Sequence, residues 1–176
     1  MNAAEKTPAP RQSPFWQFSL KFYAVPGVAP ACIALQDEAG VDVNLLFFLL
    51  WSATQRRTLI ESEVKDLDQT IGSWRATAVI PLREMRRALK SPPKAFAADA
   101  AEAFRTRIKQ LELEAERLQQ EAMYGLAQSG RFSRTASTPV EAARASIGAY
   151  QAILRPLPRA PLETVLAAFA QIAANG

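Results

Sequence analysis

The 176-residue chain is long enough for one domain with a sizeable core, and its composition, 49% hydrophobic and 22% charged, is that of a globular protein. It contains no histidine and a single cysteine, Cys32. These counts exclude Ser-His-Asp and Cys-His catalysis, histidine-ligated metals, cysteine-rich clusters and a disulfide within the chain. The formal net charge of +4 permits an anionic partner without requiring one, because 17 acidic residues are interspersed with 21 basic ones.

The N-terminal segment, residues 1–13, is predicted to be a disordered tail, since it is rich in proline, alanine and polar residues. It also lacks the apolar stretch of a signal peptide. The longest strongly apolar run, Leu45 to Trp51, is far shorter than the roughly 20 residues of a membrane-spanning helix. We therefore expect a cytoplasmic protein in which this run is a core helix.

The remainder of the chain, residues 14–176, is predicted to be one all-α domain of about seven or eight helices. Alanine is abundant, no segment shows the period-two alternation of a strand, and prolines and glycines fall mostly between helical patterns. The first helix is predicted from Phe15 to Ala24, with Ser13 as its cap and Pro14 at its first position.

A helical hairpin over residues 28–54 is predicted to lie at the centre of the bundle. Its first helix ends at Gly40, a residue suited to a left-handed helix terminus. Asp42 is predicted to cap the second helix, because its carboxylate can accept hydrogen bonds from first-turn amides. That second helix, which runs to about Thr54, is apolar on all sides and so belongs in the core.

A long stripe of apolar residues at helical spacing follows, from Ile60 to Leu89. Pro81 interrupts this stripe, because it lacks an amide donor and crowds the carbonyl four residues earlier. We therefore predict a kink or break near residues 79–81. The sequence Ser91-Pro92-Pro93 is predicted to end the helix.

A second stripe repeats with heptad spacing and predicts a long amphipathic helix. Two hypotheses remain open: the seam packs on another helix of the same chain, or it pairs with a second copy of the chain. A mobile loop is predicted over residues 124–137, and two further helices are predicted from Thr138 and from Leu162. The seam comprises Ala97, Ala101, Phe104, Ile108, Leu111, Ala115, Leu118 and Ala122.

Two segments carry a resemblance to a known family: FWQFSLKFYAVPGVAPACIALQDEAGVDVNLLFFLLW, residues 15–51, and WRATAVIPLREMRRALK, residues 74–90. The chain resembles a family of small, mostly proteobacterial proteins defined as a domain of unknown function. Residues 35–46 are the most specific part. The resemblance implies a bacterial helical protein and supplies no activity, cofactor or catalytic residue.

The acidic turn between the hairpin helices is the first candidate site, with Gln36, Asp37, Asp42 and Asn44 as candidate ligand-binding residues. Capping and ion pairing explain these side chains without a ligand. Alternatively, their oxygens form a polar pocket for a hard cation or a small molecule, or take part in carboxylate-based proton transfer.

A basic cluster is the second candidate site, with Arg83, Arg86, Arg87, Lys90 and Lys94 on one side of a helix. These side chains either form a solvated face that pairs with acidic neighbours, or bind an acidic partner protein. A third alternative is contact with the phosphates of nucleic acid or of an anionic membrane.

The sequence thus favours a protein–protein interaction or regulatory accessory module over an enzyme. Its candidate surfaces are the basic helix over residues 81–94 and exposed groups near the N-terminal aromatics. The alternatives are a small-ligand binder or carboxylate-based enzyme at residues 36–44, and an accessory protein at nucleic acid or an anionic membrane. A homodimer through residues 97–122 is a further hypothesis. We assign no catalytic residue, metal ligand or cofactor.

Overall fold

The computed structural model describes residues 12–132 and 134–174, which form one all-α domain, as predicted. Within these ranges the only β-type pairing is an isolated antiparallel bridge between Arg57 and Thr135. The helices are α1 (Pro14–Tyr23), α2 (Val28–Ala39), α3 (Val43–Thr54), α4 (Glu61–Trp74), α5 (Ile80–Ala88), α6 (Ala98–Gln128), α7 (Pro139–Ile153) and α8 (Arg159–Ala174), with a π-helical turn (Arg75–Val79) between α4 and α5.

The helix α3 is the centre of the fold, because all but its first and last residues are buried. It packs on α1, α6 and α7. Aromatic rings fill the space around it: Phe48 contacts Phe15 edge-on at 5.4 Å between ring centroids, and Phe132 at 5.8 Å. An aromatic cluster of this kind buries large apolar areas and fixes how the helices pack.

The predicted caps are confirmed. The Ser13 hydroxyl accepts a hydrogen bond from Trp16 N–H at 3.1 Å at the start of α1. The Thr138 hydroxyl accepts from Glu141 N–H at 3.1 Å at the start of α7. Gly40, at the end of α2, has φ = +71°, the left-handed conformation expected for it.

The predicted hairpin is only partly central. Its second helix, α3, is buried, but α2 has an exposed face that includes Ile33 and Asp37. The main packing partner of α2 is α8, and its contact with α3 is slight. The tight turn at residues 40–42 thus directs two consecutive helices to different neighbours, because the buried residues of α2 lie on one face, which packs on α8, and α3 is already enclosed.

The predicted kink near residues 79–81 takes the form of a wider turn. Helical hydrogen bonding continues from α4 into α5 through the π-helical turn, in which Ile80 N–H donates to the carbonyl of Arg75. Pro81 has no amide to donate and would crowd the carbonyl of Thr77 in an ordinary α-turn. The wider turn accommodates the proline without ending the helix.

Helix α5 lies at the edge of the molecule and has no buried residue. Its neighbours are α6 and the π-helical turn. Residues 75–112 form an antiparallel helical pair whose two helices are connected by the loop at residues 89–97. We call this pair the arm.

The predicted seam of α6 faces the core in part only. Ile108 and Ala115 are buried and Ala101 is half-buried, whereas the five other seam positions are exposed. The buried face is rotated about the helix and includes polar side chains. It comprises Ile108, Glu112, Ala115, Gln119, Gln120, Met123 and Ala127.

Helix α6 continues to Gln128, five residues into the loop predicted over residues 124–137. The prediction failed there because Met123 and Ala127 extend the buried face by another turn. Residues 1–11 of the predicted tail lie outside the described part of the chain, as do residue 133 and residues 175–176. No single helix in the described part has both the length and the hydropathy of a membrane span; α1 and α2 reach that threshold only as a pair bent by 99°.

The Gly40 conformation generates a stability prediction. Gly40→Ala should destabilise the fold by about 1 kcal/mol, because an added Cβ is strained at positive φ even though nothing lies within 4 Å of it. Gly148→Ala, within α7 and also in open space, should stabilise the fold by about 0.5–1 kcal/mol. Urea denaturation of both variants measures the difference, and effects of the same sign would contradict the assigned conformation.

Candidate functional site

Asp42 joins three parts of the chain that are distant in sequence. Its carboxylate Oδ1 accepts hydrogen bonds from the backbone amides of Asn44 at 2.8 Å and Leu45 at 3.3 Å, which caps α3 as predicted. Its own backbone N–H donates to the hydroxyl of Tyr150 on α7, at 2.9 Å. The carboxylate is nearly inaccessible, with 5% of its side-chain surface exposed.

The other carboxylate oxygen, Oδ2, is held by two further groups. Arg75 Nη1 donates to it at 2.8 Å and Gln119 Nε2 at 2.7 Å. The same Arg75 nitrogen also donates to Asp68 Oδ1 at 2.7 Å. A buried carboxylate needs such partners, since removing it from water without them costs several kcal/mol.

A second buried polar contact lies beside Asp42. Gln120 Nε2 donates to Asn44 Oδ1 at 2.7 Å. The amide oxygens of Gln119 and Gln120 are buried and accept no hydrogen bond from the described residues. The start of α3 is therefore attached to α6 by two glutamine amides that donate into it.

A network of carboxylates and arginines joins α5 to α6. Glu112 Oε1 accepts from Arg83 Nε at 3.0 Å, and Arg86 also donates to this carboxylate. Arg83 Nη2 donates to Glu116 Oε1 at 2.6 Å. Because the Glu112 side chain is only 7% exposed, its negative charge is stabilised by the two guanidinium groups more than by water.

Burial and charge act in opposite directions on these two carboxyl groups. Burial alone would raise the pKa of Glu112, but the hydrogen bonds from Arg86 and Arg83 outweigh it and hold the pKa below its usual value. Burial raises the pKa of Glu116 despite the nearby Arg83, and the negative charge of Glu112 adds to that rise. The arginines therefore favour the charged form of Glu112, whereas the environment of Glu116 favours its neutral form.

A cleft of about 370 Å³ lies between the acidic turn and the helix that runs from α4 into α5. Tyr150 lies among its lining residues, and both burial and the charge of Asp42 raise the pKa of this tyrosine, which keeps its hydroxyl protonated. Arg87 and Asp37, both exposed, join α5 to α2 across the cleft at 2.9 Å. The charged residues lining the cleft are Asp37, Asp42, Asp68, Arg75, Arg83, Glu84 and Arg87.

The structure brings three of the four candidate ligand-binding residues together. Gln36, Asp37 and Asp42 line the cleft, whereas Asn44 does not and binds Gln120 in the interior. The cleft arginines are already paired with carboxylates, which is the arrangement expected from capping and ion pairing. Among the described residues, no group of three or more histidine, cysteine or acidic side chains has the arrangement of a metal site.

The basic cluster is divided. Arg83, Arg86 and Arg87 each form an ion pair within the chain, on α6 or on α2. Lys90 and Lys94 form none with the described residues. The arginines thus correspond to the hypothesis of a face that pairs with acidic neighbours, and only the two lysines present unpaired charge to solvent.

Several residues that contact Asp42 were not predicted from sequence. Arg75, Gln119 and Tyr150 meet Asp42 from positions 33, 77 and 108 residues away. One signal for a buried polar face was available in the sequence. Glu112 and Gln119 lie seven residues apart on α6 and so share a face that the apolar seam did not include. The single cysteine, Cys32, is buried, and burial raises the pKa of its thiol to about 12, which makes it a poor nucleophile.

A large share of the exposed apolar surface lies on or near the arm. Eight of the twelve large apolar side chains exposed in the described chain lie between Trp74 and Leu118. Three of them repeat at intervals of seven residues on α6: Phe104, Leu111 and Leu118, which are 44%, 54% and 42% exposed. With the exposed Ala100 and Ala122, these residues form what we call the outer stripe.

The comparison with protein families places this chain. Residues 14–123 match the family model described as "Protein of unknown function (DUF2390)", so the chain belongs to that family. The match includes both segments on which the resemblance was based and ends within α6. Neither the curated proteins nor the solved structures gave a match.

The Glu112 network generates a pH-dependent prediction. Because the folded pKa of Glu112 is depressed, its stabilising contribution is present above the unfolded pKa of about 4.3 and is lost as the pH falls through the folded pKa. Glu112→Gln leaves two arginines without their shared carboxylate and should cost about 3 kcal/mol at pH 7. Urea denaturation at pH 7 and at pH 3.5 should show this difference narrowing at the lower pH.

Glu102→Gln provides the matched control, because Glu102 is 59% exposed and pairs with Arg105 on the same helix. This change should cost about 0.5 kcal/mol or less at pH 7. If Glu112→Gln lowers the free energy of unfolding by the same amount at both pH values, the charge of the carboxylate is not the cause of the stabilisation.

Proposed function

We propose that this protein is an interaction module of the bacterial cytoplasm that docks the apolar face of a helix on the outer stripe of α6. The observation that carries the proposal is the repeat of Phe104, Leu111 and Leu118, each about half exposed and seven residues from the next. Such spacing keeps side chains on one side of a helix and is the pattern by which one helix packs against another.

The position of this stripe supports docking rather than internal packing. α6 already has a separate buried face against α1, α3 and α4, so the outer stripe is additional to what the fold needs. Trp74, 40% exposed, donates its indole N–H to the carbonyl of Ala115 and adds aromatic surface beside the stripe. Large apolar side chains clustered on one exposed face are typical of protein-binding surfaces.

Two of the other candidate surfaces, the basic cluster and the cleft, have less support. The basic cluster has three of its five side chains engaged in ion pairs within the chain, which leaves less charge for phosphates or for an acidic partner. In the cleft, Arg75, Arg83 and Arg87 are already paired with carboxylates. A ligand there would have to replace pairs that are already formed.

The proposal is tested by photo-crosslinking at single positions in cells that express the full chain. A crosslinking amino acid at position 111 should give a covalent adduct with a polypeptide. The same amino acid at position 113 should give none, because Leu113 is equally exposed, at 48%, but lies about 200° around the helix. Adducts at neither position, or equal adducts at both, would contradict the proposal.

A further inference from the structure

We propose that the polypeptide docked on the outer stripe is α6 of a second copy of this chain, antiparallel to the first and related to it by a two-fold axis at Leu111. This inference rests on the proposed function, since it names the partner of the same surface. It draws on two features of the stripe: the order of its large and small residues, and the position of the charges that flank it.

The order of side chains along the stripe is nearly the same in both directions from Leu111. Phe104 lies seven residues before it and Leu118 seven residues after it, and Ala100 and Ala122 lie eleven residues to either side. All five residues are exposed. In an antiparallel pair about Leu111, large residues therefore meet large ones and alanine meets alanine, as a self-complementary interface requires.

The charges that flank the stripe fit this orientation. Arg107 and Glu114 lie on the same side of the helix, because seven residues return to nearly the same angle. In the antiparallel pair, Arg107 of one copy lies one residue from the position directly opposite Glu114 of the other. The two-fold axis makes this contact occur twice. In a parallel pair, the two-fold axis would run along the helices and carry Arg107 and Glu114 of the second copy to the opposite side of the interface, so this contact would not form.

Both side chains are available for this exchange. Arg107 lies over the Phe104 ring, 5.8 Å from its centroid, and forms no ion pair with a described residue. Glu114, 52% exposed, pairs with Arg117 one turn along the surface of α6. A surface pair of this kind contributes little stability, so an interchain arginine competes with it at small cost.

The size of the outer stripe determines how tightly we expect the two copies to associate. From Ala100 to Ala122 the stripe spans about 33 Å at about 1.5 Å per residue. A contact between two single helix faces of this length lies at the small end of specific interfaces, below about 1,200 Å² in total. We therefore expect a reversible dimer that forms at micromolar concentrations.

The test is sedimentation equilibrium of the full chain over a range of protein concentrations. The apparent mass should rise from 19.3 kDa towards about twice that value. Leu111→Glu should weaken association at least tenfold, because it buries two carboxylates at the two-fold axis, whereas Leu113→Glu should leave association within twofold of the unaltered protein. Circular dichroism should show both variants folded, since both positions are about half exposed.

A charge exchange tests the orientation. Arg107→Glu and Glu114→Arg should each weaken association several-fold, and the double variant should restore it, because only an antiparallel pair sets the two positions against each other. Sedimentation as a monomer at every concentration, equal loss in the Leu111 and Leu113 variants, or no restoration in the double variant would each overturn the inference. A crosslink from position 111 to a different protein, with no dimer, would overturn the second copy as partner and leave the proposed function intact.

Discussion

The fold depends on how the carboxylate of Asp42 is satisfied at the start of its most buried helix. This side chain caps α3 and accepts hydrogen bonds from Arg75 and Gln119 through its other oxygen, and the backbone N–H of Asp42 donates to the hydroxyl of Tyr150. One residue thus connects the π-helical turn, α6 and α7 to the N-terminus of α3. Because ionised carboxylates are costly to bury, each of these contacts constrains where the contributing helix can lie.

As a consequence, one face of α6 makes the contacts that hold the fold together, and another face is left exposed. Gln119 and Gln120 must face the start of α3, and Glu112 must face the arginines of α5. These polar contacts set the rotation of the helix about its axis. The apolar seam therefore turns partly out of the core, and Phe104, Leu111 and Leu118 are left at the surface, where a second helix can pack on them.

The parts of the fold that could be predicted from sequence are those set by local interactions. Ser13, Gly40, Asp42 and Thr138 mark helix ends through contacts with residues only a few positions away, and the apolar run of α3 requires burial wherever it lies. The placement of α2 on α8 was not predicted, because it depends on which apolar faces remain uncovered after α3 is enclosed.

The rotation of α6 was also missed, for a different physical reason. Counting apolar residues selected Leu111 and Leu118 as seam positions and left out Glu112 and Gln119. The polar residues are buried because their partners, Arg83, Arg86 and Asp42, come from distant segments and satisfy them. Hydrophobic periodicity carries no information about such partners, so it identifies a helix reliably but not the face that the helix buries.

The most direct test of the central role of Asp42 is a double-mutant cycle with Arg75, measured by urea denaturation of Asp42→Asn, Arg75→Gln and the double variant. If the two side chains stabilise one another as the structure indicates, their coupling free energy should exceed about 1.5 kcal/mol. If the changes in the free energy of unfolding caused by the two single substitutions add to within about 0.5 kcal/mol, the account is contradicted. Additivity would mean that the carboxylate at the start of α3 does not depend on the π-helical turn.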